Sequence, residues 1–337
     1  MAYSVAVIGG DGIGPEVLAE ALKVVSATGV ELHTKEFELG AKHYLSTGEV
    51  LNDSTLENLR DFDAILLGAV GPAIGSTEVP PGTLERGLLL KLRFALDLYI
   101  NQRPFKSPDS DPTYKGRSVD MVVIRENTEG TYAGEGGFLR KGTSQEVATQ
   151  GSVNTRFGVE RAVRYAFSLA SSRPRRHLTL VHKTNVLTFA GDLWQRTFDD
   201  VGKEFSDVSV AYNHVDAACI YMVEAPERYD VIVTDNLFGD IITDLAGAIS
   251  GGIGLAASGN LNPERTTPSL FEPVHGAAHD IVGTGKANPT AAIRSAAMML
   301  DFLGESEAAQ KIFKALESSP EAFLKTDEIG SYYAERI

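Results

Sequence analysis

Tyr3-Ser-Val-Ala-Val-Ile-Gly-Gly-Asp-Gly-Ile-Gly-Pro-Glu16 opens the chain with an apolar run, a glycine-rich turn and the start of a helix. Tyr3–Ile8 reads as a strand. Proline at position 15 suits a first helical turn, because its missing N–H would have no intrahelical partner there. Val17, Leu18, Ala21, Leu22 and Val25 then recur at helical spacing. Strand, glycines and helix together invite a Rossmann reading, but the spacing refuses it. After Gly10 and Gly12 the third glycine of G-x-G-x-x-G falls on Pro15. Gly252-Ile-Gly-Leu-Ala-Ala257 fits that pattern, yet it follows a helix-like segment instead of a strand. Gly10–Gly14 is therefore either a tight connection or a place where backbone approaches a ligand.

The same alternation continues along the chain and points to an α/β fold. Ala64–Val70, Tyr99–Phe105, Val119–Arg125, Leu178–His182, Val208–His214 and Val231–Thr234 read as strands. Helices are expected from Ser54 (with Glu57 as a capping box), over Leu84–Leu98, Arg156–Ser171, Asp192–Glu204, Ala217–Glu224 and Gly239–Ile249, and over Pro289–Leu303 and Glu305–Leu316 before a tail. Lys106–Arg117 reads as an exposed loop. Gly130–Gly151 carries many glycines and short β-like pieces, as a projecting hairpin would. Leu245–Pro263, although uncharged, is interrupted by glycines and serines, so it is expected to be a buried helix plus a loop and not a membrane span.

Composition narrows the function. The 337 residues carry 31 Lys and Arg against 45 Asp and Glu, a net charge of −14, which disfavours nucleic acid or an anionic membrane as partner. One cysteine, Cys219, excludes an internal disulfide framework or a cysteine-built zinc site. The first basic residue is Lys23, which argues against the charged region of a signal peptide, and a cytoplasmic protein is expected.

Thr234-Asp-Asn-Leu-Phe-Gly-Asp-Ile-Ile-Thr-Asp244 carries the strongest chemistry. On a helix Asp240 and Asp244 share a face, with Cβ atoms about 5–6 Å apart. Two carboxylates so close repel unless a cation or proton lies between them, and hard ions such as Mg²⁺ or Mn²⁺ prefer oxygen ligands. The alternative is a solvated acidic face, which the neighbouring Leu237, Phe238, Ile241 and Ile242 weaken. Arg93, Arg103 and Arg125 stand near element ends, where guanidinium forks could clamp a di- or tricarboxylate. Tyr132 and Lys183 are candidate proton-transfer groups. Glu272-Pro-Val-His-Gly276, with Asp280 and Asn288 downstream, offers polar groups for a ribose and an adenine, or else a capped loop.

These segments resemble the isocitrate/isopropylmalate family of metal-dependent β-decarboxylating dehydrogenases. The marks are Gly10-Asp-Gly-Ile-Gly-Pro-Glu16, Arg93 with Arg103-Pro104, Arg125-Glu-Asn-Thr-Glu-Gly-Thr-Tyr132, His182-Lys-Thr-Asn185, His214-Val-Asp216, Asn236-Leu-Phe-Gly-Asp240 with Asp244, and Glu272-Pro-Val-His-Gly276 through Asn288-Pro-Thr290. The resemblance spans nearly the whole chain. It implies a two-lobed α/β fold distinct from Rossmann: residues 1–98 with 252–337 as a cofactor-binding lobe, and 99–251 as a substrate, metal and dimerisation lobe with a β arm at about 130–151.

The resemblance also implies site roles. Arg93, Arg103 and Arg125 would hold substrate carboxylates. Asp240 and Asp244, with Asp216 from the partner subunit of a homodimer with shared active sites, would ligate Mg²⁺ or Mn²⁺, and Asp216 would also face the substrate. Lys183, again from the partner, would accept the hydroxyl proton, and Tyr132 would protonate the enol. Ile13, Glu272, His275, Gly276, Ala277, Ala278, Asp280, Ile281 and Asn288 would cradle the cofactor. A carboxylate at Asp280 would accept ribose hydroxyls and repel a 2′-phosphate, so NAD is favoured.

Glu85, Leu89 and Leu90 precede Arg93 and would form the side-chain pocket. Leucines there favour an isopropyl group over a third carboxylate, by about 2 kcal/mol of apolar burial, unless they belong to the core. D-malate/tartrate or homoisocitrate chemistry is the alternative, because Arg125-Glu-Asn-Thr-Glu-Gly130 is commoner in those branches and in the isocitrate branch. A non-catalytic subunit is disfavoured, since the carboxylates, lysine and tyrosine are all present.

Overall fold

The computed structural model describes residues 2–107, 118–318, 320 and 324–337. Among these, one compact unit takes residues 2–98 and those of 251–337, and a second takes 99–107 and 118–250. Residues 108–117 of the loop expected at Lys106–Arg117 lie outside the described residues.

In the first unit, β1 (Tyr3–Gly10) runs into α1 (Gly14–Ala27), whose buried Val17, Leu18, Ala21, Val24 and Val25 repeat at helical spacing. There follow β2 (Leu32–Glu36), α2 (Ala41–Thr47), α3 (Asp53–Arg60) and β3 (Ala64–Ala69), which is buried throughout. The cap of α3 is Asn52 and not the expected Ser54. Asn52 Oδ1 accepts the Thr55 N–H at 2.8 Å, leaving the serine inside the first turn.

The expected helix over Leu84–Leu98 is not uniform. Glu85–Leu90 is π-helical, α4 (Lys91–Ala95) continues it, and Asp97 ends it in the left-handed region at φ 45°. Leu88 is fully buried with Leu92 and Leu96 among Ile8, Leu59, Ile65 and Leu67.

The second unit contains β4 (Ile100–Lys106), β5 (Asp120–Glu126), β6 (Gly136–Leu139), β7 (Val147–Gln150), α5 (Arg156–Ser172) and β8 (His177–His182). It continues through α6 (Thr188–Gly202), β9 (Ser209–His214), α7 (Val215–Glu224), β10 (Val231–Thr234) and α8 (Asn236–Ile249). β4 and β5 pair antiparallel, and β5, β10, β8 and β9 follow in parallel. β6 and β7 form an antiparallel hairpin exposed along both strands, the arm expected over 130–151.

The chain returns to the first unit with β11 (Ala257–Leu261), β12 (Ser269–Pro273), α9 (Thr290–Leu303), α10 (Ser306–Ala315) and α11 (Thr326–Ala334). Its sheet runs β2-β1-β3-β12-β11, parallel except for the last pair. Two expectations are corrected here. Leu245–Pro263 is a helix followed by a strand, because Ala257-Ser-Gly-Asn-Leu261 is buried and paired despite weak strand propensity. The expected tail contains α11, which packs against α1 and buries Ile329 and Tyr333. Among the described residues no helix is long and apolar enough to cross a membrane.

Candidate active site

The end of β5 and one face of α8 build the central cluster of the second unit. Asp235 caps α8, accepting the Phe238 N–H at 2.8 Å, and so starts the helix earlier than its apolar pattern predicts. Asn236, Gly239, Asp240 and Thr243 then recur three and four residues apart, a spacing that shares one face.

Arg125, 1% exposed at the end of β5, meets that face. Its Nε donates to Asn236 Oδ1 at 2.9 Å and its Nη1 donates to Asp240 Oδ1. Arg103 of β4 donates through Nη1 to Thr243 Oγ1 at 2.6 Å, with Nη2 3.9 Å from Asp240 Oδ1. The Tyr132 hydroxyl donates to Asp240 Oδ2 at 2.9 Å, and Arg125 lies 5.1 Å from the centre of the Tyr132 ring.

The electrostatics follow from those contacts. Burial alone would raise the Asp240 pKa, but the charge of Arg125, the Tyr132 hydroxyl and Arg103 outweigh it and hold the carboxyl below the ordinary range. For Tyr132, burial and the neighbouring Asp240 charge win over Arg125, and the phenol is pushed above its usual value. It stays protonated near neutrality and can serve as a proton donor. One residue after Arg125, buried Glu126 accepts the N–H groups of Thr128 and Glu129 and the Thr128 hydroxyl. Desolvation exceeds these bonds and raises its pKa to about 7.

Asp244 lies one turn beyond Asp240 on α8 and is exposed. The two offer hard oxygen donors of the kind Mg²⁺ or Mn²⁺ takes. Among the described residues no three acidic, histidine or cysteine side chains converge on a metal-sized space. Asp216 therefore does not join Asp240 and Asp244 within one chain. Its Oδ1 instead accepts from Lys183 Nζ at 2.7 Å, and this bond lowers the Asp216 pKa. His182, beside Lys183, is fully buried with Nε2 3.3 Å from Asp235 Oδ2.

The cofactor candidates gather in the first unit. The Ile13 N–H donates to Ala277 O at 2.9 Å, and a Cβ on Gly12 would stand 1.8 Å from that same oxygen. The close approach read at Gly10–Gly14 is thus to the chain's own backbone. Ala278 is left-handed at φ 39°, and His279 Nε2 lies 2.8 Å from Gly71 O. His275 Nε2 is buried and has no hydrogen-bond partner, and desolvation lowers its pKa, so the ring is neutral near pH 7. A buried polar edge beside an open Gly276 fits the donors and acceptors of an adenosine. Asp280 and Asn288 are exposed, Ile281 is partly so, and Asn288 Oδ1 accepts the Thr290 N–H at 3.0 Å.

Also in this unit, Glu272 Oε1 accepts from Asn260 Nδ2 at 2.8 Å and lies 3.8 Å from Arg93 Nη2. Of the three leucines before Arg93, Leu88 is core, Leu89 is partly buried against it, and Leu90 is half-buried; Glu85 is exposed. Sequence reasoning missed Asn236, Gly239 and Thr243 as neighbours of the arginines. A Cβ on Gly239 would lie 2.6 Å from Arg125 Cγ. The polar face of α8 was the available signal for all three.

A family profile described as isocitrate/isopropylmalate dehydrogenase matches residues 4–336. The chain is 59% identical over 339 residues to a 3-isopropylmalate dehydrogenase of Corynebacterium efficiens, covering 98% of each. It is 56% identical over 346 residues to one of Thermobifida fusca, covering 98% of this chain and 97% of that one. Among solved structures, an isocitrate dehydrogenase from Methylococcus capsulatus superposes with a TM-score of 0.88 at 37% identity, covering 99% of both chains. A β-decarboxylating dehydrogenase from Thermococcus kodakarensis, in apo form, gives 0.80 at 34% identity, covering 99% and 96%.

Proposed function

The chain belongs to the isocitrate/isopropylmalate dehydrogenase family, and from that premise we propose that it oxidises 3-isopropylmalate with NAD and releases CO₂, yielding 4-methyl-2-oxopentanoate for leucine biosynthesis. The observation that carries the chemistry is Asp240 held between Arg125 and Tyr132 on one face of α8.

Arg93, Arg103 and Arg125 bind the substrate's carboxylates, and the half-buried Leu89 and Leu90 meet its isopropyl group, with Glu85 discouraging a further carboxylate. Asp240, Asp244 and Asp216 hold Mg²⁺ or Mn²⁺. Ile13, Glu272, His275–Ala278, Asp280, Ile281 and Asn288 would hold NAD, which would supply a hydride acceptor, and a divalent ion on the aspartates would supply Lewis-acid stabilisation of negative charge on the substrate. Lys183 takes the hydroxyl proton, and Tyr132 returns a proton to the carbon that loses CO₂.

A second copy of the chain completes the site by bringing its Lys183 and Asp216. Two features support this: among the described residues Asp216 forms no metal-holding group with Asp240 and Asp244 within one chain, and Ile220, Ile241 and Phe189 are 56%, 53% and 92% exposed. Apolar side chains so open to water fit a surface that another subunit covers.

NADH formation with Mg²⁺ or Mn²⁺, compared between 3-isopropylmalate and D-malate, tests the reading. A kcat/KM preference for D-malate overturns the substrate, and absence of turnover with either overturns the enzyme.

A further inference from the structure

A cavity of about 470 Å³ lies in the first unit, between α1 and the segment from the end of β2 into α2. Its volume falls in the range of about 300–1,000 Å³ typical of small-molecule sites. Its apolar wall is Leu18, Leu22 and Phe37. The wall is fixed: Leu18 is 2% exposed, the Phe37 N–H donates to Val7 O at 2.8 Å, and the Phe37 ring stands edge-on to Phe62 at 5.6 Å. Asp11 anchors the far side through the Ala41 N–H at 2.8 Å and the Lys42 N–H at 3.3 Å.

Charge decides the ligand. Glu36, Glu38 and Lys42 all line this cavity. Among the described residues, no ion pair within 4 Å joins Lys42 to either glutamate, although opposite charges share one small space. Two carboxylates and an ammonium, on exposed residues that line the same space as an apolar wall, match a molecule that carries both charges at one end and a hydrocarbon chain at the other. We propose that this cavity binds a free α-amino acid with an apolar side chain, its ammonium facing Glu36 and Glu38, its carboxylate facing Lys42, and its side chain on Leu18, Leu22 and Phe37. The site does not depend on the proposed catalytic reading.

Isothermal titration of the full chain with L-leucine, L-norleucine and L-methionine tests it, with 3-methylbutylamine and 4-methylpentanoate as the two half-ligands. Saturable binding of one amino acid per chain is expected, and each half-ligand should bind at least about tenfold more weakly, because it forfeits one charge-assisted contact. The Glu36→Gln/Glu38→Gln double variant should lose about tenfold in affinity. Ala19→Trp, which fills the cavity from the exposed side of α1, should abolish binding with the charges left in place. Absence of saturable binding, equal binding of a half-ligand, or binding that survives both variants would overturn the proposal.

Discussion

The face of α8 and the loop from His275 to Asn288, proposed to hold substrate and cofactor, are built from opposite materials. On α8 the geometry is made by side chains: a guanidinium, a phenol, a carboxamide and a hydroxyl meet around Asp240, several of them buried. In the loop the geometry is made by backbone: Ala277 O takes the Ile13 N–H, Gly12 leaves room for that oxygen, and the polar side chains of Asp280 and Asn288 remain exposed. Side-chain geometry in a buried cluster fails when one atom is lost, because its partner stays behind without compensation. Backbone geometry tolerates most side-chain changes and fails where an extra atom intrudes.

Arg125→Lys should expose this contrast most strongly. A lysine cannot reach Asn236 and Asp240 together as the planar fork does, so kcat/KM should fall about 1,000-fold. A loss below tenfold would show that the cluster is more adaptable than its burial implies. Tyr132→Phe removes one hydroxyl and should lower kcat by about 100-fold with KM for substrate nearly constant, as steady-state kinetics would read. In the loop, Gly12→Ala must displace Ala277 O, and KM for NAD should rise about 20-fold while kcat holds. Asp280→Lys leaves the backbone alone and replaces a repulsion of the 2′-phosphate by an attraction, so the NADP-to-NAD ratio of kcat/KM should rise about tenfold.

The smallest effect concerns Glu126. Its carboxyl stays protonated in the folded chain up to about pH 7 but ionises near pH 4.5 when unfolded. The folded state therefore binds more protons between those values, and the contribution is complete at low pH and lost as pH rises through 7. From pH 6 to 8 denaturant unfolding should show a loss of about 1 kcal/mol that Glu126→Gln removes. A flat profile in the unsubstituted protein would mean that the bonds from Thr128 and Glu129 keep the carboxylate ionised.

The same contrast explains what was legible in the sequence. Strands such as Ala64–Ala69 and Val231–Thr234 announce themselves by continuous apolar runs, and Asp240 with Asp244 by helical spacing. Ala257–Leu261 does not, because its burial comes from its place beside β12 and not from its own residues. Asn236, Gly239 and Thr243 carry no chemistry alone and become readable only once Arg125 and Arg103 lie over them. Leu88 and Leu90 look alike in the chain, and only the core separates them.

The π-helical turn at Glu85–Leu90 makes segment length itself a determinant. A wider turn absorbs a residue that a 3.6-residue turn would not hold. Deleting one residue there would let the turn close to a regular α-helix, resetting the bearings of the side chains within it while Arg93 kept its own toward Glu272. Diversification of substrate range in such a scaffold can therefore proceed by insertion and deletion as readily as by exchange of the leucines.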